Sequence, residues 1–193
     1  MLNKHFVENN VTHTNITTQV AKLFIDDVEE TSLEVLVTGG EKLGEVETPD
    51  NYRFIDNYGP TEFCVSVTNI DVDEKIDPTS IGYLINNTKG YVLDNEFRQV
   101  PVGAVGELYL AGNQIAKGYL NREKETEEAF LRNPFDEKYD MMYRTGDLVR
   151  FLPDGSLGIV GRNDNQVKIR GNRVELTEID IAILVGFFLE RVK

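Results

Sequence analysis

Apolar positions along this chain follow two different periods, and the change of period divides it. Between residues 17 and 28, Val20, Leu23, Phe24 and Val28 recur at helical spacing, which predicts a helix over 17–25 with Thr17 at its start and those four side chains on its buried face. Leu33-Glu34-Val35-Leu36-Val37 then reads as a buried strand, stopped by Gly39-Gly40. A second short strand, Tyr52-Arg53-Phe54-Ile55, runs into Asn57-Tyr58-Gly59-Pro60. Helix, strand, loop and strand in that order predict the end of an α/β layer with a parallel sheet.

From about Val72 the runs become short and β-like, at residues 90–93, 106–110, 148–152 and 157–160, with one helix between them over 123–130. Pro153-Asp154-Gly155 predicts a hairpin turn. This stretch reads as a small, mostly antiparallel β subdomain. Gly161-Arg162-Asn163-Asp164-Asn165 reads as a linker. After it come an alternating strand over 166–170, a turn at Gly171-Asn172, a return strand over 173–176, and Thr177 as N-cap of a helix from Glu178. Three segments are therefore expected, 1–72, 73–161 and 162–193. No internal repeat or low-complexity tract is present.

Composition narrows the function classes. Hydrophobic residues make up 40% and charged residues 27% of 193, the balance of a globular protein with a core. A net charge of −13 repels a phosphate backbone, so nucleic acid is not an expected partner. Any anion site must come from backbone N–H groups, a bound cation or a few placed basic side chains. Cys64 is the only cysteine, which leaves no disulfide within the chain. Met1 to His5 is not followed by an apolar stretch, so no signal peptide is read there. The longest apolar run, Ile181 to Leu189, is far short of the roughly 20 residues that span a bilayer. The glycosylation-type triplets at Asn10, Asn15 and Asn86 are read as chance, the expected location is cytoplasmic, and no membrane partner is expected.

Three stretches carry chemistry. In Asn57-Tyr58-Gly59-Pro60-Thr61-Glu62 a tight loop follows a strand; Tyr58 offers a flat face to an aromatic ligand, Thr61 a hydroxyl to a phosphate oxygen, and Glu62 an oxygen ligand to Mg²⁺. A plain turn with a solvated glutamate explains the same residues equally well. In Tyr143-Arg144-Thr145-Gly146-Asp147-Leu148, Gly146 allows a close turn and Asp147 follows at the mouth of a strand, where its two oxygens suit the adjacent hydroxyls of a ribose. An aspartate capping a turn is the plainer reading. Across 161–179, Arg162 can donate to ribose or phosphate, Asp164 sits where a hinge would lie, and Lys168, Arg170 and Arg173 gather positive charge that a solvated hairpin face would also show.

Each stretch alone is ordinary, but their order resembles the adenylate-forming superfamily, and within it the amino-acid adenylation domains of nonribosomal peptide synthetases. Gly106 to Gly112, Ile115 to Leu120 and Val37 to Leu43 add matching segments, and the resemblance runs from about Thr12 to Ile179. It implies a fold of α/β plus β: the C-terminal part of an adenylation core, with the end of a parallel-sheet layer and a small β-barrel-like subdomain, then the first hairpin and helix of a small C-terminal domain. It implies that Tyr58 stacks on adenine, with Gly59 beside it in the nucleotide-binding loop, that Thr61 contacts phosphate, and that Glu62 coordinates Mg²⁺. Asp147 would bind both ribose hydroxyls, Arg162 would contact ribose, Asp164 would be the hinge, and Lys168 would lie near the nucleotide in the thiolation arrangement. Val37, Gly39, Asn57, Val65 and Ser66 would wall the amino-acid pocket. The implied cofactors are ATP or AMP, Mg²⁺ and phosphopantetheine on a partner carrier protein. The implied partners are an amino acid, a carrier-protein domain and the remainder of the synthetase.

The resemblance also sets expectations by what is missing. No Ser/Thr/Gly-rich phosphate loop lies between Met1 and Asn10, no upstream aspartate is present to grip the substrate amino group, and no C-terminal catalytic lysine is matched, Lys193 included. Losing one preorganised transition-state donor costs on the order of 10²–10³ in rate. Little or no adenylation by the chain alone is therefore expected. An uncovered edge is expected on the sheet containing Val35, and an exposed apolar tail over 181–189. The alternatives are a complete but unusual enzyme, a non-catalytic nucleotide-binding or interaction remnant, and an acyl- or D-alanyl-activating ligase of the same family.

Overall fold

The computed structural model describes residues 1–73, 77–164, 166–169, 172–176, 179 and 183. The chain opens with helix α1 (Leu2–Glu8), strand β1 (His13–Thr17) and helix α2 (Thr18–Asp27), followed by β2 (Val35–Gly39) and β3 (Arg53–Tyr58). A 3₁₀ turn (Thr61–Phe63) leads to β4 (Thr68–Asp71), β5 (Ser80–Leu84), β6 (Thr88–Leu93) and β7 (Gly106–Gly112). Helix α3 (Glu123–Ala129), β8 (Phe130–Arg132), β9 (Met141–Phe151) and β10 (Leu157–Arg162) complete the main body, and β11 (Gln166–Ile169) pairs with β12 (Asn172–Glu175) as a separate hairpin.

One sheet of ten strands runs β1-β2-β3-β4-β5-β10-β9-β7-β6, with β8 added on β9. Its first three strands are parallel and the rest antiparallel, so an α/β layer passes directly into a β-rich one. The α/β-plus-β fold expected from the sequence is present, but the β part is not a closed barrel, since the path ends on β1 and β6.

Of three hydrophobic cores among the described residues, two bear on the site, and the third, around Tyr91, Tyr109 and Met142, also lies in the β-rich part. Phe6, Ala21, Phe24, Leu36, Tyr52 and Phe54 form the first, between the helices and the parallel strands. Phe63, Ile81, Leu108, Leu110, Tyr143 and Val149 lie in the second, within the β-rich part. The helix expected from Thr17 exists, with Thr17 as N-cap, although its side chain makes no capping hydrogen bond. Its buried face is corrected: Thr18, Ala21 and Phe24 face inward, whereas Val20 and Leu23 are 42% and 65% exposed. Phe24 decides the rotation. Its ring packs between Phe6 of α1 at 5.6 Å and Tyr52 at 6.5 Å, and α1 carried no apolar stripe that would predict this partner.

Two strands are placed by pairing rather than by apolar pattern. β1 reads His-Thr-Asn-Ile-Thr and β4 reads Thr-Asn-Ile-Asp, so neither shows a clear apolar alternation. Because β1 pairs with β2, the sheet edge expected beside Val35 lies one strand further out, on β1. The turn expected at Tyr143–Asp147 is the interior of the eleven-residue β9. The expected linker begins later, because Gly161 and Arg162 end β10. Asn172 is in β12 rather than in the turn, while the helix from Glu178 and the tail over 181–189 lie outside the described residues apart from Ile179 and Ile183, both exposed. The Pro153-Asp154-Gly155 turn is as expected; Asp154 Oδ1 accepts the Ser156 N–H at 2.9 Å and Gly155 takes φ +89°. Among the described residues, no helix is long and apolar enough to cross a membrane.

The two faces of α2 give a direct check. Phe24→Ala is expected to lower unfolding free energy in urea by about 3–5 kcal/mol, whereas Leu23→Ala should change it by less than about 0.5 kcal/mol.

Candidate functional site

The loop after β3 is fixed by its backbone. A Cβ on Gly59 would collide with the Val65 carbonyl, so only glycine lets the chain double back there. Phe63 is fully buried in the second core and pins the 3₁₀ turn. Cys64 and Val65 follow at φ +55° and +71°, a left-handed pair that costs a β-branched residue on the order of 1–3 kcal/mol. The Val67 N–H closes the loop on the Tyr58 carbonyl at 2.8 Å. Tyr58 is thereby held at the end of β3 with its side chain toward β9 and β10.

There it meets a chain of charged groups. The Tyr58 hydroxyl donates to Asp147 Oδ2, and Arg162 Nη1 donates to Asp147 Oδ1 at 2.5 Å. The same guanidinium donates from Nη2 to the Thr145 carbonyl at 3.1 Å, and from Nε and Nη2 to the two oxygens of Asp164 at 2.7 and 2.6 Å. A register shift between β7 and β9 places Thr145–Asp147 in a bulge, which turns Asp147 inward. Thr145 Oγ1 donates to the Leu108 carbonyl at 2.8 Å and accepts the Asp147 N–H at 3.0 Å, fixing the bulge from beneath. Gly146 sits there at φ +75°, and a Cβ on it would lie 2.6 Å from Asp164 Oδ2 and 2.7 Å from Arg162 Nη2. Glycine is needed at 146 because the ion pair rests on it.

Electrostatics follow from this packing. Burial raises the Tyr58 phenol well above its ordinary value, and the adjacent Asp147 charge adds to the rise, so the hydroxyl remains a donor. Burial pulls Arg162 down, but hydrogen bonding to Asp164 and the charges of Asp147 and Asp164 outweigh it and hold the guanidinium above its usual range. Burial also pushes Asp56 up to about 7, opposed by the Asn57 backbone N–H.

These groups line a cavity of about 600 Å³. Of the residues expected in a site, it gathers Asn57, Tyr58, Asp147, Arg162 and Asp164, together with Asp56, which the sequence did not point to, and the 40–46 loop, whose first part falls in the matching segment Val37 to Leu43. Gly59 lies just beyond Tyr58, and Thr61 and Glu62 are placed by the 3₁₀ turn outside the lining. Glu62 is buried; its Oε1 accepts the Tyr119 hydroxyl at 2.5 Å and its carbonyl the Ala116 N–H at 2.8 Å. Among the described residues, no three His, Cys, Asp or Glu side chains gather to hold a metal. One carboxylate suits Mg²⁺ that is carried in on a polyphosphate and keeps its waters, so Glu62 fits that ion in chemistry.

The remaining candidates sit elsewhere. Val37 and Gly39 on β2 share a face with Asn57 on β3, because Gly39 stands opposite Asn57 and residues two apart point the same way. A Cβ on Gly39 would strike the Asn57 side chain, which therefore lies across β2. Val65 is exposed, and the Ser66 carbonyl accepts from Gln114 Nε2 at 3.3 Å. The side chain of Lys168 and all of Lys193 lie outside the described residues. Asp56 was legible in one respect: strand alternation puts Phe54, Asp56 and Tyr58 on one face, and an aspartate between two large aromatics is an unusual occupant of it.

With this geometry in place, comparison with known proteins is specific. Residues 2–120 match the family described as AMP-binding enzyme. Surfactin synthase subunit 2 of Bacillus subtilis (strain 168) is 45% identical over 183 residues, covering 94% of this chain and 5% of that protein. Bacitracin synthase 1 of Bacillus licheniformis is 42% identical over 183 residues, covering 95% of this chain and 3% of that one. Among solved structures, PA1221, a nonribosomal peptide synthetase protein containing adenylation and carrier-protein domains, superposes with a TM-score of 0.84 at 25% identity, over 94% of this chain and 39% of that chain. The chain thus spans a small part of the synthetases it matches and about two fifths of that neighbour.

Gly146 tests the site's construction. Gly146→Ala is expected to displace Arg162 from Asp164 and to lower thermal stability by about 1–3 kcal/mol, from a strained φ together with a broken ion pair. Differential scanning calorimetry beside Gly155→Ala, where the same φ strain meets open space, separates the two contributions.

Proposed function

This chain belongs to the AMP-binding enzymes, and we propose that it is a portion of an amino-acid adenylation domain of nonribosomal peptide synthesis whose cavity holds the nucleoside half of ATP. The observation that carries this reading is the Asp147 carboxylate, buried in the cavity and aimed by Tyr58 and Arg162. A carboxylate with two in-plane acceptors matches a vicinal diol, an aromatic ring beside it suits a base, and an arginine beside it suits ribose or phosphate oxygens. A volume of about 600 Å³ accommodates a nucleotide.

The family resemblance assigns the roles, and the placement of Tyr58, Asp147 and Arg162 in one cavity supports them. Tyr58 faces the base, with Gly59 letting the loop turn close to it. Asp147 accepts from both ribose hydroxyls, which exchange with the Tyr58 and Arg162 donors now satisfying it. Thr61 donates to phosphate. Mg²⁺ bound at Glu62 would neutralise polyphosphate charge. Val37, Gly39 and Asn57, on the face of β2 and β3 opposite Asp56, wall the amino-acid side together with Val65 and Ser66 of the loop before β4. The family reaction joins a substrate carboxylate oxygen to the α-phosphorus and expels pyrophosphate; a carrier-protein phosphopantetheine thiol then takes the acyl group and AMP leaves. The remaining synthetase and its carrier-protein domain are the proposed partners. Asp164, tied to Arg162, is the proposed hinge at the start of a segment over 162–193, after segments over 1–72 and 73–161.

The chain has no recognisable phosphate loop and no matched catalytic lysine, which favours nucleoside binding without turnover when it acts alone. A non-catalytic nucleotide-binding remnant makes the same short-term prediction and differs only in needing no complementing chain. An acyl- or D-alanyl-activating ligase differs in the acid it accepts.

Two measurements test the reading. Isothermal titration should show adenosine or AMP binding, weakened by about 10–100-fold in Asp147→Ala, the loss of hydrogen bonds to a charged group. Absence of binding by a folded chain would sink the nucleoside assignment. Pyrophosphate–ATP exchange over a panel of amino acids with Mg²⁺ should show no turnover, and exchange dependent on one amino acid would overturn the expected inactivity and identify the substrate.

A further inference from the structure

Glu62 keeps only 6% of its exposure, and a carboxylate taken out of water has to be held by donors. One donor comes from a distant part of the chain: the Tyr119 hydroxyl, 57 residues on, donates to Glu62 Oε1 at 2.5 Å. Tyr119 is itself fixed from several sides. Its N–H donates to Thr126 Oγ1 of α3 at 2.9 Å, and that hydroxyl donates on to the Arg122 carbonyl at 2.7 Å. Its ring meets Phe130, the first residue of β8, edge-on at 5.5 Å. Gly118 before it takes φ +135°, and a Cβ there would lie 2.4 Å from Thr126 Cγ2, so only glycine lets the loop close on α3. The same loop also reaches Glu62 by main chain, the Ala116 N–H donating to its carbonyl at 2.8 Å. Glu62 is thus held at its backbone and at its carboxylate by a loop that carries none of the roles above. A buried charge is a weak source of stability, because an uncharged residue of the same shape avoids the desolvation cost. Holding this one so closely points to a use for its charge.

We propose that Tyr119 is a positioning residue for the divalent cation, orienting the Glu62 carboxylate so that an ion arriving on a polyphosphate meets a ligand already in place. This rests on the assignment of Glu62 to Mg²⁺ made above. Mg²⁺ keeps several of its waters, demands near-octahedral geometry and takes only one or two carboxylates from a protein, so the direction of a single carboxylate matters. A hydrogen bond to a ligating carboxylate sets that direction, and losing such a bond costs about 10–100-fold in metal affinity.

Isothermal titration of the full chain with ATP, with and without saturating Mg²⁺, gives the factor by which the cation tightens binding. In Tyr119→Phe that factor is expected to fall by about ten-fold, the lower end of the range for such contacts, with adenosine affinity kept. Glu62→Gln should lose at least as much of the factor. Adding Tyr119→Phe to Glu62→Gln should take away nothing further, because two residues that act through one ligand are not additive. Thermal melting checks that each variant is folded. An unchanged or larger factor in Tyr119→Phe would overturn the proposal. So would equal losses for Mg²⁺-bound ATP and for adenosine, which mark a loosened site, or additive losses in the double variant, which mark independent roles. If adenosine binds the unaltered chain but Mg²⁺ does not tighten ATP binding, the Glu62 assignment fails and this inference with it; if Mg²⁺ tightens ATP binding equally with and without the Tyr119 hydroxyl, the assignment stands and only this inference fails.

Discussion

The site depends on one buried ion pair, Arg162 with Asp147. Asp147 retains 9% of its side-chain exposure and Arg162 20%, so neither charge is left to water. Removing one partner from such a pair strands the other at a cost of about 3–5 kcal/mol, well beyond what an exposed pair contributes. The surrounding chain is arranged to prevent that. Tyr58 donates to the second Asp147 oxygen, Thr145 holds the bulge that aims the carboxylate, and Asp164 takes the remaining guanidinium donors. Strands that are 89 residues apart in sequence therefore meet at a single carboxylate.

That constraint explains the irregularities. A regular β9 would alternate its side chains and carry Asp147 past the cavity; the bulge at Gly146 re-aims it, and the left-handed glycine accommodates the Arg162–Asp164 pair against the backbone. The left-handed Cys64 and Val65 serve the other side of the same arrangement, returning the chain beneath Gly59 so that Tyr58 stays at the cavity wall. Backbone strain is concentrated where two sheet regions meet, and the fully buried Phe63 anchors it.

The chain's acidity gives the arginine its importance. With a net charge of −13, the cavity is lined by several carboxylates, and Arg162 is one of few cations facing them. A neutral donor at that position could not balance Asp147 and Asp164 together, and lysine lacks the planar fork that reaches both along with the Thr145 carbonyl.

Period and turn chemistry in the sequence determined much of the architecture: α2, β2 and β3 in order, the β-rich texture after Val72, the helix near Glu123 and the Asp154 turn are all local signals. The Tyr58, Asp147 and Arg162 motifs were legible because their spacing resembles a known family, although composition alone left each as a plausible turn. Tertiary structure alone decided the face of α2, since Phe24 is buried by Phe6 and Tyr52, which are distant in sequence. It decided that polar β1 and β4 are strands, because pairing with neighbours rather than apolar alternation places them in the sheet. It also decided that Gly146 lies within β9 and that one oxygen of the half-buried Asp56 is enclosed without a hydrogen-bond partner. Burial and strand register arise from contacts between residues far apart in the chain, and local pattern carries no record of them.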